Sequence, residues 1–111
     1  MRIAAILLIA STASALAVED VDGSLAKLAA PEKAALLDRM EQDLFDGPAS
    51  RLRDVRKIDK ARMCGRINPK NRMGAYIGYR EFMFDPEREE LLLGGEDADD
   101  SAKGQVKAAC R

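Results

Sequence analysis

The side chains able to carry chemistry are few, and the first pair is Cys64 and Cys110, the two cysteines of a 111-residue chain. Two thiols can close a disulfide, hold part of a metal site or supply a nucleophile, and the last two uses need partners. Histidine is absent, which removes Ser-His-Asp and Cys-His catalysis and the usual zinc sites. Beyond residue 17 the serines are Ser24, Ser50 and Ser101, none flanked by the glycines of a nucleophile elbow. Gly94-Gly95 runs into Glu96 and Asp97, acids that repel phosphate. An EF-hand opened at Asp97 has Ala102 where glycine is required and Ala108 in place of the bidentate glutamate. Hydrolysis would need an acid pair such as Glu81 with Glu89 or Glu90, in a chain with little room for a substrate cleft. No cofactor site and no metal site emerges, and the chain is read as non-enzymatic.

The fate of the cysteines depends on compartment, which the N-terminus addresses. Met1-Arg2 carries one positive charge, Ile3 to Ala10 is continuously apolar, and Ser11 to Ala17 is small and ends Ala15-Leu16-Ala17. These are the three regions of a secretion signal in order, with cleavage expected between Ala17 and Val18. A membrane-spanning helix needs about 20 apolar residues, and this run breaks at Ser11 and Thr12. No cysteine adjoins the cleavage point to take a lipid. The expectation is a periplasmic or secreted protein of residues 18–111 with no remaining membrane span. In an oxidising compartment an even cysteine pair forms a disulfide, so Cys64 is expected to bond Cys110. The chain has two Tyr, three Phe and no Trp, and a third of it is charged, so its core is small and a staple would help it fold.

The elements that must hold these residues follow from periodicity. Residues 18–30 read as a flexible mature N-terminus ahead of one small domain, 31–111. Pro31 and Glu32 suit the first turn of a helix, predicted over 31–45, with Leu37, Met40 and Leu44 as its apolar stripe and Leu36 and Phe45 beside it. Asp46-Gly47-Pro48 ends it. Residues 50–60 fit either helix or strand, because Leu52, Val55 and Ile58 fall at helical spacing among basic residues. From 61 the period approaches two, and strands are predicted at about 61–68, 74–84 and 89–93, although 86–93 also fits a helix opened by Pro86. Ser101 is the expected cap of a last helix over 102–110, which turns Cys110 inward. The predicted fold is α+β: a three-stranded antiparallel meander with one helix at each end, stapled by the disulfide.

Charge is segregated along this plan. Residues 51–80 hold ten basic and two acidic side chains, a net +8, while 81–100 hold nine acidic and one basic, a net −8. The preferred reading is that neighbouring strands set opposite charges across from each other. The alternative is a basic surface for an anionic partner. Within the basic block, Cys64-Gly65-Arg66-Ile67-Asn68-Pro69-Lys70-Asn71-Arg72-Met73-Gly74-Ala75-Tyr76-Ile77-Gly78-Tyr79-Arg80-Glu81-Phe82 concentrates turn formers, cations and aromatics. Asn68, Lys70, Asn71, Arg72 and Tyr76 are the candidate binding residues, on a scaffolded turn of the kind that often carries recognition. The partner expected is an envelope protein or an anionic polymer. Nucleic acid is disfavoured, since two tyrosines in a half-buried strand suit sheet packing better than base stacking. A monomer is expected.

This segment resembles a family of small exported Gram-negative proteins with the signature C-G-x-[VI]-N-x-K-N-x-x-G-x-Y-x-G-[YF]-x-x-F. Cys64, Gly65, Asn68, Lys70, Asn71, Gly74, Tyr76, Gly78, Tyr79 and Phe82 fall on its positions. Asp46, Pro48 and Ser50 look like its upstream acidic-Pro-x-Ser element with Gly47 inserted, and Cys110 is similar to its late cysteine. Ala75 replaces a common second glycine, and the Trp often found before the last cysteine is missing. The resemblance spans roughly 44–110 and implies export without bringing an activity. A small hydrolase, or an inhibitor of one, acting on envelope polymers is the alternative to a binding or accessory domain.

Overall fold

Residues 18–111 are described by the computed structural model; the expected signal, 1–17, lies outside them. In chain order the elements are β1 (Glu19–Asp20), α1 (Ala30–Asp43), β2 (Arg51–Lys57), β3 (Met63–Asn68), β4 (Arg80–Asp85), β5 (Glu90–Leu93) and α2 (Asp100–Ala109), with 3-10 turns at Leu25–Lys27 and Gly47–Ala49. The strands form one sheet in the order β1-β2-β3-β4-β5, with β1 parallel to β2 and every other pair antiparallel. The α+β class therefore holds, but the expected three-stranded meander is the inner part of a five-stranded mixed sheet.

Two helices cover opposite faces of this sheet because inward residues alternate along β3 and β4. Met63, Ile67, Phe82 and Phe84 join Leu52, Val55, Leu36 and Met40 in one core under α1. Cys64 and Met83 point the other way, to Val106 and Cys110 of the α2 side. The Cys64–Cys110 disulfide is present, with Cα atoms 5.7 Å apart, and both cysteines are buried. It ties the end of α2 to the middle strand, where Arg56 Nη2 also donates to Cys110 O at 3.0 Å. Gly65 sits across from Phe82, and a Cβ there would lie 2.7 Å from the ring, so this crossing needs a glycine.

The undecided stretch at 50–60 is a strand, and the helical look of its spacing has a cause. The β2–β3 register shifts between Arg53 and Arg56, and Asp54 takes a φ of 55°. The extra residue of this bulge brings Leu52 and Val55, three apart in sequence, onto one face. The bulge is held by residues from the N-terminal segment read as flexible. Asp22 Oδ2 accepts from Asp54 N at 2.8 Å, and Ser24 Oγ accepts from Val55 N at 2.8 Å. Asp20 caps the following turn through both carboxylate oxygens, and Leu25 is buried.

Three further boundaries differ from expectation. α1 stops at Asp43, so Phe45 lies past its end and is 60% exposed, while Leu36 and Met40 form the buried stripe. The strand expected over 74–84 begins only at Arg80, because residues 69–79 fold into a loop. Asp99 rather than Ser101 caps α2, its Oδ1 accepting from Ala102 N at 2.8 Å. Residues 86–93 resolve into a turn, in which Asp85 Oδ1 accepts from Glu87 N, followed by β5.

Candidate functional site

The 69–79 loop and the part of the sheet beside it make the most distinctive surface. Its shape is set by two asparagines. Asn68, at the buried end of β3, accepts the Gly78 N–H on Oδ1 at 2.8 Å, and Gly78 has a φ of 105° that favours glycine. Asn71 Oδ1 accepts from both Met73 N (2.9 Å) and Ala75 N (3.1 Å), closing the tip at Gly74, whose φ is 81°. Lys70 and Tyr76 bridge across the loop. Both asparagine carbonyl groups are thus spent on the loop itself, which separates Asn68 and Asn71 from Lys70, Arg72 and Tyr76 among the five candidate residues.

Tyr76 is the hub of the remaining three. Its hydroxyl donates to Ala49 O at 3.0 Å, fixing the ring against the turn before β2. The Arg51 guanidinium lies 3.8 Å from the ring centroid and Lys70 Nζ 5.2 Å. One strand position further on, Arg53 lies 4.1 Å from the Tyr79 ring, and at the tip Arg72 lies 5.1 Å from Phe45. Each cation rests on an aromatic face, an arrangement worth about 0.5–1 kcal/mol at an exposed site. Arg53 is also directly opposite Arg66 on β3, a pairing of like charges that disfavours the fold.

The acidic block does not neutralise this surface. Among the strand partners of β3, β4 and β5, opposite charges face each other at Arg66 and Glu81 alone, whereas Asp85 faces Glu90. Across the two blocks one ion pair forms, Arg80 with Asp97 at 2.9 Å. Arg51 Nε lies 3.3 Å from Glu19 Oε1, close enough for charge attraction but not aligned to donate to it. Among the described residues, Arg53, Arg66, Lys70 and Arg72 pair with no carboxylate. The preferred reading of the charge blocks as cross-strand complements therefore holds at Arg66 and Glu81, while the other acids of the block sit around the β4–β5 turn and in the 94–100 loop.

Other groups are arranged less specifically. Glu81 pairs in register with Arg66 at the start of β4, and Glu90 with Asp85 at its far end, so four strand positions, about 13 Å, separate them. Glu89 lies in the turn with a φ of 51°. The acid pair weighed for hydrolysis does not converge. A groove of about 820 Å³ runs between residues 77–81, the 94–97 loop and α2. The Arg80–Asp97 bridge crosses it, and the Arg80 hydrogen bond holds the Asp97 carboxyl below its usual range. Among the described residues no three His, Cys, Asp or Glu side chains gather to hold a metal.

Arg51, Arg53, Tyr79 and Phe45 belong to this surface although sequence reasoning did not place them there. The alternation Arg51-Leu52-Arg53 was the available signal, obscured by the bulge that follows. Comparison of the chain with protein-family models, with curated protein sequences and with solved structures returns no match.

Proposed function

We propose that this protein is an exported, non-enzymatic binding or accessory domain of the periplasm, which engages an anionic envelope partner through the 69–79 loop and the basic edge of the sheet. The observation that supports it is the row of cations seated on aromatic rings, of which Arg53, Lys70 and Arg72 have no carboxylate partner among the described residues. Fixed, unneutralised charge attracts an opposite surface and accelerates encounter with it. The disulfide supports export, since such bonds persist in oxidising compartments.

The hydrolase or hydrolase-inhibitor alternative has less support. The carboxylates weighed for it, Glu81 with Glu89 or Glu90, do not converge.

The test is retention on an immobilised anionic polymer. Arg53→Ala, Lys70→Ala and Arg72→Ala together are expected to release the protein at a salt concentration that still holds the parent. A control replacing Lys27, Lys60 and Lys107, exposed cations elsewhere, removes the same charge and is expected to stay bound. Equal behaviour of the two triple variants overturns the assignment of the surface.

A further inference from the structure

Resting on that binding reading, we infer that the anionic partner is a membrane surface, which the protein touches with the tip of the 69–79 loop and the residue that follows α1. Two large apolar side chains project at this end: Met73 is 90% exposed and Phe45 60% exposed. They are not scattered, because Arg72, the neighbour of Met73, lies over the Phe45 ring. Ile77, in the same loop, is also exposed. Exposed apolar groups rimmed by one sign of charge mark contact sites.

Charge and shape select lipid over protein. Arg72 lies over the Phe45 ring and directly precedes Met73 in the chain, and Lys70 and Arg51 lie on the Tyr76 ring. Long basic side chains lay their stems along apolar surface and keep their charge at the level of the phosphates. The acids nearby are Asp46, next to Phe45, Asp43 at the end of α1, which pairs with Arg39, and Glu19 beside Arg51. None pairs with Arg72 or Lys70. A stable protein interface needs roughly 800 Å² from each partner, more than one loop tip and one ring present. Insertion of two side chains into a headgroup layer, with basic groups each adding to the attraction of anionic lipid, needs no such area. No helix among the described residues is long and apolar enough to cross a membrane, so the contact is with the surface.

The experiment is co-sedimentation of the oxidised, exported chain with vesicles of phosphatidylcholine containing phosphatidylglycerol, with vesicles of phosphatidylcholine alone, and a parallel binding measurement on soluble polyphosphate. Binding to the anionic vesicles and not to the neutral ones is expected, with Met73→Ser and Phe45→Ser each lowering partition by about tenfold. Both side chains are outside the core, and circular dichroism with an intact disulfide checks that the variants remain folded. Binding to vesicles and polyphosphate alike, unchanged by either substitution, overturns the membrane inference and leaves the anionic-partner reading standing. Equal binding to neutral and anionic vesicles also overturns it. Binding to neither vesicles nor polyphosphate overturns both.

Discussion

Opening the Cys64–Cys110 bond is the perturbation whose size follows most directly from the structure. The two residues are 46 apart in sequence, and cross-linking a loop of that length removes unfolded-state entropy worth about 4 kcal/mol in the chain-entropy relation. Domains of this size are stable by roughly 5–15 kcal/mol in total, so the bond supplies a large share. The loss should be visible first in α2. With ten residues it is shorter than the 12–15 or so that sustain a helix in isolation, and Val106 is its buried anchor apart from the cysteine that follows it. Urea denaturation followed by circular dichroism, with and without reductant, measures the difference. Reduction is expected to lower stability by about 3–4 kcal/mol, and Cys64→Ala with Cys110→Ala by somewhat more, because two buried sulfurs are also lost. A reduced protein within about 1 kcal/mol of the oxidised one would refute the entropic account. Mass measurement after thiol alkylation without reductant should add no label, and two labels would show that the bond is absent from the purified protein.

Asn68→Ala removes a buried carbonyl that holds Gly78 N and should cost about 1–3 kcal/mol, whereas Asn71→Ala, at a more open site, should cost about 0.5–1.5 kcal/mol; thermal melts check both. Neither should abolish retention on an anionic polymer unless the loop unfolds. Acid should weaken the fold in a defined window. The Asp22 carboxyl is lowered from 3.8 to about 2, chiefly by the Ser24 hydroxyl and then by the Asp54 N–H, and Asp59 to about 2 by the N–H groups of Arg62 and Ala61. Because the folded values are depressed, both groups stabilise the fold above pH 4 and that contribution drains away as pH falls to about 2. Melting temperature should therefore fall as pH is lowered across that interval, and less steeply for Asp22→Asn; identical slopes would remove Asp22 from the account.

How far the fold could be read in advance varied with the range of the forces involved. The start of α1 and the break at 46–48 that follows it were legible because Pro, Gly and Asx residues act on their own backbone. Residues 51–57 were not, since the bulge at Asp54 depends on Asp22 and Ser24 arriving from thirty residues away. Residues 74–79 carry strand-forming Tyr and Ile, yet Asn68 takes the Gly78 N–H and the chain folds into a loop before pairing resumes at Arg80. Phe45 suited the apolar side of α1 by spacing, but the helix ends before it can be buried.

The candidate site divides in the same way. With two cysteines there is one intramolecular disulfide to make, and with no histidine several catalytic mechanisms are closed, so composition by itself determined these points. Residue type also marked 68–73 as a turn with cations. Tertiary structure decided which charges stand together: it set Arg51 and Arg53 under tyrosines from a loop far along the chain, carried the acidic block to other parts of the fold, and left Phe45 beside Arg72. The reason is physical. Turn preference and covalent chemistry are properties of a residue and its neighbours, whereas register, facing and charge neighbourhood are fixed by pairing between strands and helices that meet only when the core closes.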